Sequence, residues 1–355
     1  MAKHITWKLG ELYCGPGGLA LGALNAKSND GLMSIKHVWA NDFDEDTCET
    51  YRHNICPDHP ESVICSDVRN LDIAALPKID AFAYGFPCNS FSNVGEHQGL
   101  DNPKFGQLYW YGIEVLRHFK PKWFLAENVS GIRSAGEGKH FQQILQDMEE
   151  SGYVLVTNMY KFEEYGVPQT RHRVIIVGIR QDLADQGIAY HVPDPSKYKD
   201  VDISAETALA NIPEDAPNTE IRHISEKVVN RLSYIKPGQN VWQAEDSMPE
   251  ELRIKTRTRI SQIYRKLDPK KPSYTMTAAG GGGTFGYHWE NRELTNRERA
   301  RIQTFPDDFA FAGKYASVRK QIGMAVPPKG AQIIFEAILN SLSGIEYQFT
   351  KPSLT

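Results

Sequence analysis

Cysteine is scarce in this chain and lacks any paired spacing. Five cysteines stand among 355 residues, at positions 14, 48, 56, 65 and 88. An odd count without CxxC excludes a disulfide framework and points to reduced thiols in a cytoplasm. No apolar run is long enough to cross a bilayer. The opening "MAKHITWKLGELYCG" has no apolar signal core, which argues against secretion. Positive charge is not in excess: 40 Lys and Arg face 44 Asp and Glu, a net charge of −4. An overall basic footprint for nucleic acid is thus missing, and the distribution of charge has to decide that question. There is no GxGxxG, and no glycine loop is followed by the Lys-Ser/Thr of a phosphate-binding loop. Repeats are absent, and Gly280–Gly283 is the only low-complexity piece.

What is present is an ordinary globular composition, 41% hydrophobic and 24% charged, long enough for one large domain or two of usual size. Short apolar runs at 8–14, 36–42, 62–67, 79–87, 122–129, 153–162 and 173–180 read as strands. Helical patterns at 18–27, 45–53, 106–119 and 138–150 alternate with the first six. This rhythm predicts an α/β fold, a doubly wound, mostly parallel seven-stranded sheet covered on both faces. The last two strands lack a helix between them and are expected to form an antiparallel edge hairpin. After residue 180 the rhythm breaks into Pro-, Asp- and Asn-rich sequence, with a helical or mixed region at 251–267. A first domain over 1–184, a second, smaller one over 185–315 and a return to the first over 316–355 are expected.

One basic stripe stands out on this acidic chain. Arg253, Lys255, Arg257, Arg259, Arg265, Lys266, Lys270 and Lys271 are opposed locally only by Asp268. A solvated face is the ordinary reading of such a run; one DNA-facing edge is compatible with it. Tyr234, Trp242, Tyr274, Tyr287 and Trp289 read as core rather than base contacts. Cys48, His53, Cys56, His59 and Cys65 cluster without metal-ligand spacing, so no metal is assigned. Cys14 and Cys65 read as small core residues.

Chemistry-bearing residues gather at predicted strand ends, where open α/β sheets bind ligands. "LYCGPGGLALGALNA" (12–26) leaves a strand, turns on glycines and enters a helix, which suits a nucleotide-like ligand or a plain tight turn. Asp42 ends the second strand, where an acidic group can take both hydroxyls of a ribose. Asp67 ends the third and could accept from an adenine amino group, although either aspartate could be a helix cap. The fourth strand runs into "GFPCNSFS", and its Cys88 needs a cationic neighbour, because a free thiol ionises only near pH ~8.5. The fifth ends in Glu127 and Asn128, a buried carboxylate being costly without a partner or a task. Gln169, Arg171 and Arg173 precede or open the seventh.

This ordered set, "ELYCGPGG", "GFPCNSFS", "ENV", "QTRHR", "RELTNRERARIQTFP" and "RKQIGMAVPP", resembles the DNA (cytosine-5)-methyltransferases of the bacterial modification type. The resemblance covers nearly the whole chain except about 181–270, where family members differ because that region reads the target. It implies the S-adenosylmethionine-dependent methyltransferase fold with a target-recognition domain, S-adenosyl-L-methionine as cofactor, and methyl transfer to cytosine carbon 5 in a short duplex sequence. By the same resemblance, Cys88 adds to carbon 6 and Glu127 engages ring nitrogen 3. Arg173 holds the ring carbonyl and lowers the Cys88 pKa, while Arg171 supports that shell or contacts a phosphate. Tyr13, Gly15, Pro16, Gly17, Gly18, Asp42, Phe43, Asp67, Val68, Pro87, Leu108, Met324 and Ala325 fall at cofactor positions. Phe86, Asn89, Ser90, Ser92, Asn128, Gly281 and Gly282 fall at substrate positions, the Phe86 carbonyl accepting from the exocyclic amine. The base must be flipped out, at a cost of a few kcal/mol.

Three residues depart from the family pattern. Tyr13 replaces the usual Phe, Asn89 the usual Gln, and Met324 a common Asn that shapes the methionine end of the cofactor pocket. Double-stranded DNA is the implied partner, with no membrane, a monomer, and a cognate restriction endonuclease acting separately; the setting is a bacterial cytoplasm, near the nucleoid. The short N-terminus, without regulatory domains, points to a bacterial or phage modification enzyme. An RNA cytosine methylase would need no large region after "QTRHR". A nucleotide-binding oxidoreductase leaves Cys88, Glu127 and the arginines unexplained. A non-catalytic DNA-binding relic sits poorly with intact Cys88, Glu127 and Arg173.

Overall fold

The computed structural model describes residues 4–86, 108–134, 138–256, 259–278 and 285–354. Cys88, Pro87, Asn89, Ser90, Ser92, Gly281 and Gly282 lie outside the described residues.

The chain opens with β1 (Ile5–Leu12), α1 (Gly18–Asn25), β2 (Met33–Asp42), α2 (Glu45–Ile55), β3 (Val63–Cys65) and β4 (Ala81–Tyr84). It continues through α3 (Tyr109–Phe119), β5 (Trp123–Val129), α4 (Lys139–Glu150), β6 (Tyr153–Lys161), β7 (Gln169–Thr170) and β8 (His172–Arg180). Six of these strands and β8 form one sheet in the order β3-β2-β1-β4-β5-β8-β6, β7 standing outside it. β1, β2, β3, β4 and β5 pair in parallel. β8 runs antiparallel to both β5 and β6. The seven-stranded, mostly parallel sheet and its antiparallel edge are as the sequence pattern requires. The order reverses at β1/β4, so the strand ends there open a crevice.

The central strands bury both faces. Phe82, Tyr84, Phe124 and Ala126 face one apolar cluster, and Ala81, Ala83, Trp123 and Leu125 the other. That two-sided burial explains why "AFAY" and "WFLAENV" read as continuous apolar runs rather than alternating ones. Local signals set the helices. Asp44 caps α2 by accepting from the Thr47 amide, with Glu45 and Asp46 in the first turn and Arg52 and His53 in the last.

Beyond β8 lie α5 (Gln181–Ala184), β9 (Val192–Pro193), α6 (Ala205–Leu209), α7 (Glu226–Ser233) and β10 (Ser273–Tyr274). They are followed by α8 (Asn296–Ile302), α9 (Tyr315–Met324), α10 (Pro328–Ser343) and β11 (Phe349–Thr350). Leu232, Ile235, Val241, Met248, Tyr264 and Tyr287 gather a separate small core. Phe305, Phe309 and Phe311 instead join Cys14, Tyr51 and Ile55 against the main sheet. α10 packs in the main core with Leu19, Ala23 and Trp123.

The described residues of 251–267 hold no α-helix; a single 3-10 turn at Glu250–Leu252 is followed by bends and turns. Ile260, Ile263, Tyr264 and Leu267 have helical spacing, but the stretch is held from outside: Arg231 donates to the Leu252 carbonyl and Trp242 to the Ile260 carbonyl, and the Lys266 and Leu267 amides donate to the Gln239 and Tyr287 carbonyls.

Candidate active site

The site is built on the carboxyl ends of β1, β2, β3, β4 and β5. β1 hands over to a turn in which Tyr13 (φ 54), Gly15 (φ 55) and Gly17 (φ 95) adopt left-handed backbone. At Gly17 an added Cβ would lie 2.7 Å from Ile55, whereas at Gly15 it would meet nothing within 4 Å. Gly17 therefore packs the turn onto α2, and Gly15 faces open space with its backbone bare. Pro16 and Gly18 are buried beneath.

Asp42 is buried and holds this turn. Its Oδ2 accepts from the Gly15 amide at 3.0 Å, and its Oδ1 from Phe43 and Asp44 at 2.8 and 3.1 Å. Burial raises its pKa, and the three backbone donors oppose that shift. A carboxylate offers about four acceptor positions, so one remains, on Oδ2. A ribose hydroxyl could be received there without displacing a backbone donor.

Phe43 follows with its ring 67% exposed, an unusual state for an aromatic. Lys320 lies 5.8 Å from its centroid and pairs with Asp44. At the next strand end, Asp67 takes the Arg69 guanidinium and the Arg69 amide. Chiefly through that side-chain pair its pKa falls to about 2. Val68 is buried beside Asp67.

Asn41, which sequence reasoning passed over, sets the spacing of these two carboxylates. Its amide donates to the Ile64 and Ser66 carbonyls at 2.8 and 2.9 Å, fastening the end of β2 to the end of β3. The signal was a buried Asn one residue before the acidic strand end.

The second half of the site is charged. Arg173 Nε meets Glu127 Oε1 at 2.9 Å, with the two side chains 14% and 12% exposed. Burial raises the Glu127 pKa above the usual carboxylate range, and Arg173 and then Arg171 pull against it. Tyr84 pairs with Ala126 across β4 and β5, which places Gly85 against Glu127. A Cβ there would stand 3.2 Å from Glu127 Oε2. Asn128 is buried; its amide donates to the Phe86 carbonyl at 3.1 Å and its oxygen accepts from the Val129 amide at 2.8 Å. Both of its ends are thus engaged with backbone, so it orients the Phe86 carbonyl, whose second lone pair can receive another donor.

Arg171 is fully buried. Its guanidinium donates to the carbonyls of Met276, Gly323 and Ala325 at 3.0, 3.1 and 2.7 Å. A phosphate contact is out of its reach, and the supporting alternative is what the geometry allows. Gln169 is buried as well and does not reach the rim. It accepts from the Met276 amide and donates to Gln303, whose own amide donates to Ile322 and Ala325. Gln303, inside "RARIQTF", carried no polar signal in the sequence because it stands in a helix end among apolar residues. These three side chains fasten the end of α9, where Met324 is 47% exposed and Ala325 buried, to the rest of the site. Tyr13 reaches across to donate its hydroxyl to the Leu108 carbonyl at 2.7 Å. The hydroxyl that sets it apart from Phe therefore has a definite partner.

The basic stripe is largely paired within the chain. Arg259 meets Glu245, Lys255 meets Glu250, Lys270 meets Glu206 and Lys271 meets Asp268. Lys266 is buried against Asn291. Arg257 lies outside the described residues.

A seven-stranded methyltransferase-type sheet, a glycine turn beside two strand-end carboxylates, and a buried Glu–Arg pair beside the exit of β4 define a nucleobase methyltransferase. The profile of the C-5 cytosine-specific DNA methylases matches residues 7–340, and the chain belongs to that family: it is a DNA (cytosine-5-)-methyltransferase. It is 56% identical to the Type II methyltransferase M.BbvI of Brevibacillus brevis, over 97% of this chain and 93% of that protein. It is 39% identical to M.NgoFVII of Neisseria gonorrhoeae, over 94% and 86%. A solved prophage-encoded E. coli protein, described as a DNA modification methyltransferase, aligns with a TM-score of 0.70 at 21% identity. That alignment covers 95% of this chain and 99% of the other, and it speaks to the fold. Among the described residues no helix is long and apolar enough to cross a membrane.

Proposed function

We propose that this enzyme methylates carbon 5 of a flipped-out cytosine within a specific short duplex sequence, using S-adenosylmethionine and a transient bond from Cys88. The observation that carries the reading is the Glu127–Arg173 pair at the end of β5, beside the strand that leads into Cys88.

The residues present fit the methyl donor. Bare backbone at Gly15 gives its chain room, the remaining position on Asp42 takes a ribose hydroxyl, and Asp67 takes the adenine amine. The exposed Phe43 ring and Val68 enclose the base. Bound there, the cofactor supplies an electrophilic methyl on a sulfonium.

The chain's own part is to make carbon 5 nucleophilic. Cys88 adds as thiolate to carbon 6. Glu127, whose pKa burial raises, donates to ring nitrogen 3 in its protonated form, so that the electrons pushed in by sulfur are accommodated. Arg173 orders Glu127 and faces the ring carbonyl. The Phe86 carbonyl, aimed by Asn128, accepts from the exocyclic amine and selects cytosine over thymine. After methyl transfer, loss of the carbon 5 proton and expulsion of Cys88 restore the ring. The core of Leu232 to Tyr287, with the glycine run at 280–283, is the part that reads the target. The enzyme acts as a monomer alongside a separate restriction endonuclease of the same specificity.

Bisulfite sequencing of DNA from cells expressing the protein tests the reading and supplies the target, with Cys88→Ser as the control. A 5-fluorocytosine duplex carrying that target should become covalently trapped when the methyl donor is present. Absence of a trapped species on an efficiently methylated site rules out the Cys88 step.

A further inference from the structure

A buried carboxyl that the mechanism does not use lies directly beneath the glycine turn. Glu11, in β1, is 1% exposed. Its Oε2 and the Tyr51 hydroxyl are 3.1 Å apart; the same hydroxyl is 3.1 Å from His37 Nδ1, and His37 Nε2 is 2.7 Å from the Ser62 hydroxyl. Ser62 in turn donates to the His59 carbonyl at 2.6 Å.

Counting protons along this chain leaves two arrangements. Ser62 has one hydrogen, and the His59 carbonyl takes it, so His37 Nε2 must carry a proton and donate to Ser62. If Tyr51 donates to Glu11, His37 Nδ1 must also be protonated, making a half-buried imidazolium. If His37 is neutral, Tyr51 donates to Nδ1 and Glu11 must be the donor to Tyr51, hence protonated. Among the described residues no carboxylate pairs with His37, and partial burial together with the neighbouring His59 pushes its pKa down to about 4. The second arrangement therefore holds. Burial independently raises Glu11 to about 8, against the Tyr51 contact, and Asp42 adds to the rise.

We propose that Glu11 is a positioning residue kept neutral by the Tyr51–His37–Ser62 chain, so that Asp42 alone carries negative charge under the glycine turn that holds the methyl donor. The titratable groups facing Glu11 are Tyr51 from α2, Asp42 from the end of β2 and Cys14 from the turn itself. An ionised Glu11 would place a second carboxylate beside Asp42 and turn the Tyr51 proton away from His37, loosening α2 from the strand that presents Gly15. The outer end of the chain meets solvent, since His37 and Ser62 line a cavity of about 510 Å³ with His59, Glu61 and Asp58. The inference rests on the cofactor placement proposed above.

The experiment measures urea unfolding and S-adenosylmethionine binding of the full chain between pH 6.5 and 9, wild type against Glu11→Gln, which donates but cannot ionise. Glu11 has its folded pKa raised, so its stabilisation is lost as pH rises from 4.5 to about 8. His37 acts in the opposite direction only below 6.5. Between pH 6.5 and 8 the wild-type folding constant should fall by up to about tenfold per pH unit relative to Glu11→Gln. Cofactor affinity should weaken above pH 8 in the wild type and stay level in the variant. Parallel slopes in the two proteins overturn the proposal. Should the variant not fold, nitrogen-15 shifts of the wild-type histidines decide: a neutral Nε2–H tautomer at His37 supports it, an imidazolium at pH 7 overturns it. A wild type that binds no cofactor at any pH overturns the cofactor placement instead, leaving the proton assignment to the unfolding data.

Discussion

Arg173 brings its Nε to 2.9 Å from Glu127 Oε1, while its Nη1 donates to the His172 carbonyl at 2.8 Å. The ion pair and this backbone bond together fix where the Glu127 carboxyl stands.

Glu127→Gln should lower kcat/KM by about 10²–10⁴-fold, the usual worth of a positioned acid, with duplex binding retained in a mobility-shift assay. Because burial raises the Glu127 pKa, the donor form survives above the ordinary carboxylate range and is lost as pH climbs through the raised value. The wild-type rate should fall along that alkaline limb, and the variant should not show it.

Arg173→Ala should destabilise the fold by about 3 kcal/mol, since removing one partner strands a buried carboxylate. The double variant with Glu127→Gln should recover most of that loss. Chemical denaturation of the four proteins in the cycle measures it; a double variant as unstable as the summed singles would show that the pair is not coupled.

Arg171→Lys should cost roughly 2 kcal/mol, because an ammonium cannot reach three carbonyls from one planar fork. Its effect on the methyl donor should come through displacement of Ala325. Calorimetry should show weaker cofactor binding with little change in the salt dependence of DNA binding, the reverse of what loss of a phosphate contact would give.

Phe43→Ala should weaken S-adenosylmethionine binding by about 1 kcal/mol, and Phe43→Trp should keep it, since the exposed ring serves as a stacking face. Met324→Asn should tighten the same binding by on the order of 1 kcal/mol through a restored side-chain hydrogen bond. Equilibrium titration tests both, and an unchanged or weaker affinity in the second would show that position 324 contributes through its backbone alone.

The parallel sheet was legible because each strand is a short apolar run closed by a turn signal, and α2 carries its own start at Asp44. Asp42, Asp67 and Glu127 were legible as acidic residues at strand ends. Less readable was how buried polar groups are spent. Arg171 and Gln169 look like site residues in "QTRHR", yet both turn inward to backbone groups more than 100 positions away, Arg171 donating to the Met276 carbonyl and Gln169 accepting from the Met276 amide. Such partners leave no local pattern. The region 251–267 resisted reading for a related reason: bonds from Arg231 and Trp242 set its shape and override the helical spacing of Ile260, Ile263, Tyr264 and Leu267.

If the basic stripe faces DNA, its ion pairs, Lys270 with Glu206 among them, bear on how the enzyme meets its substrate. Exposed pairs of that kind are worth little, up to about 1 kcal/mol each, so a phosphate can take an acid's place at Lys255, Arg259, Lys270 or Lys271. Each such exchange trades a protein carboxylate for a phosphate, and the freed carboxylate gathers cations of its own. Fewer ions are then set loose overall than the number of phosphates engaged would imply, and association should respond to added salt less steeply than the cation count along this stretch suggests.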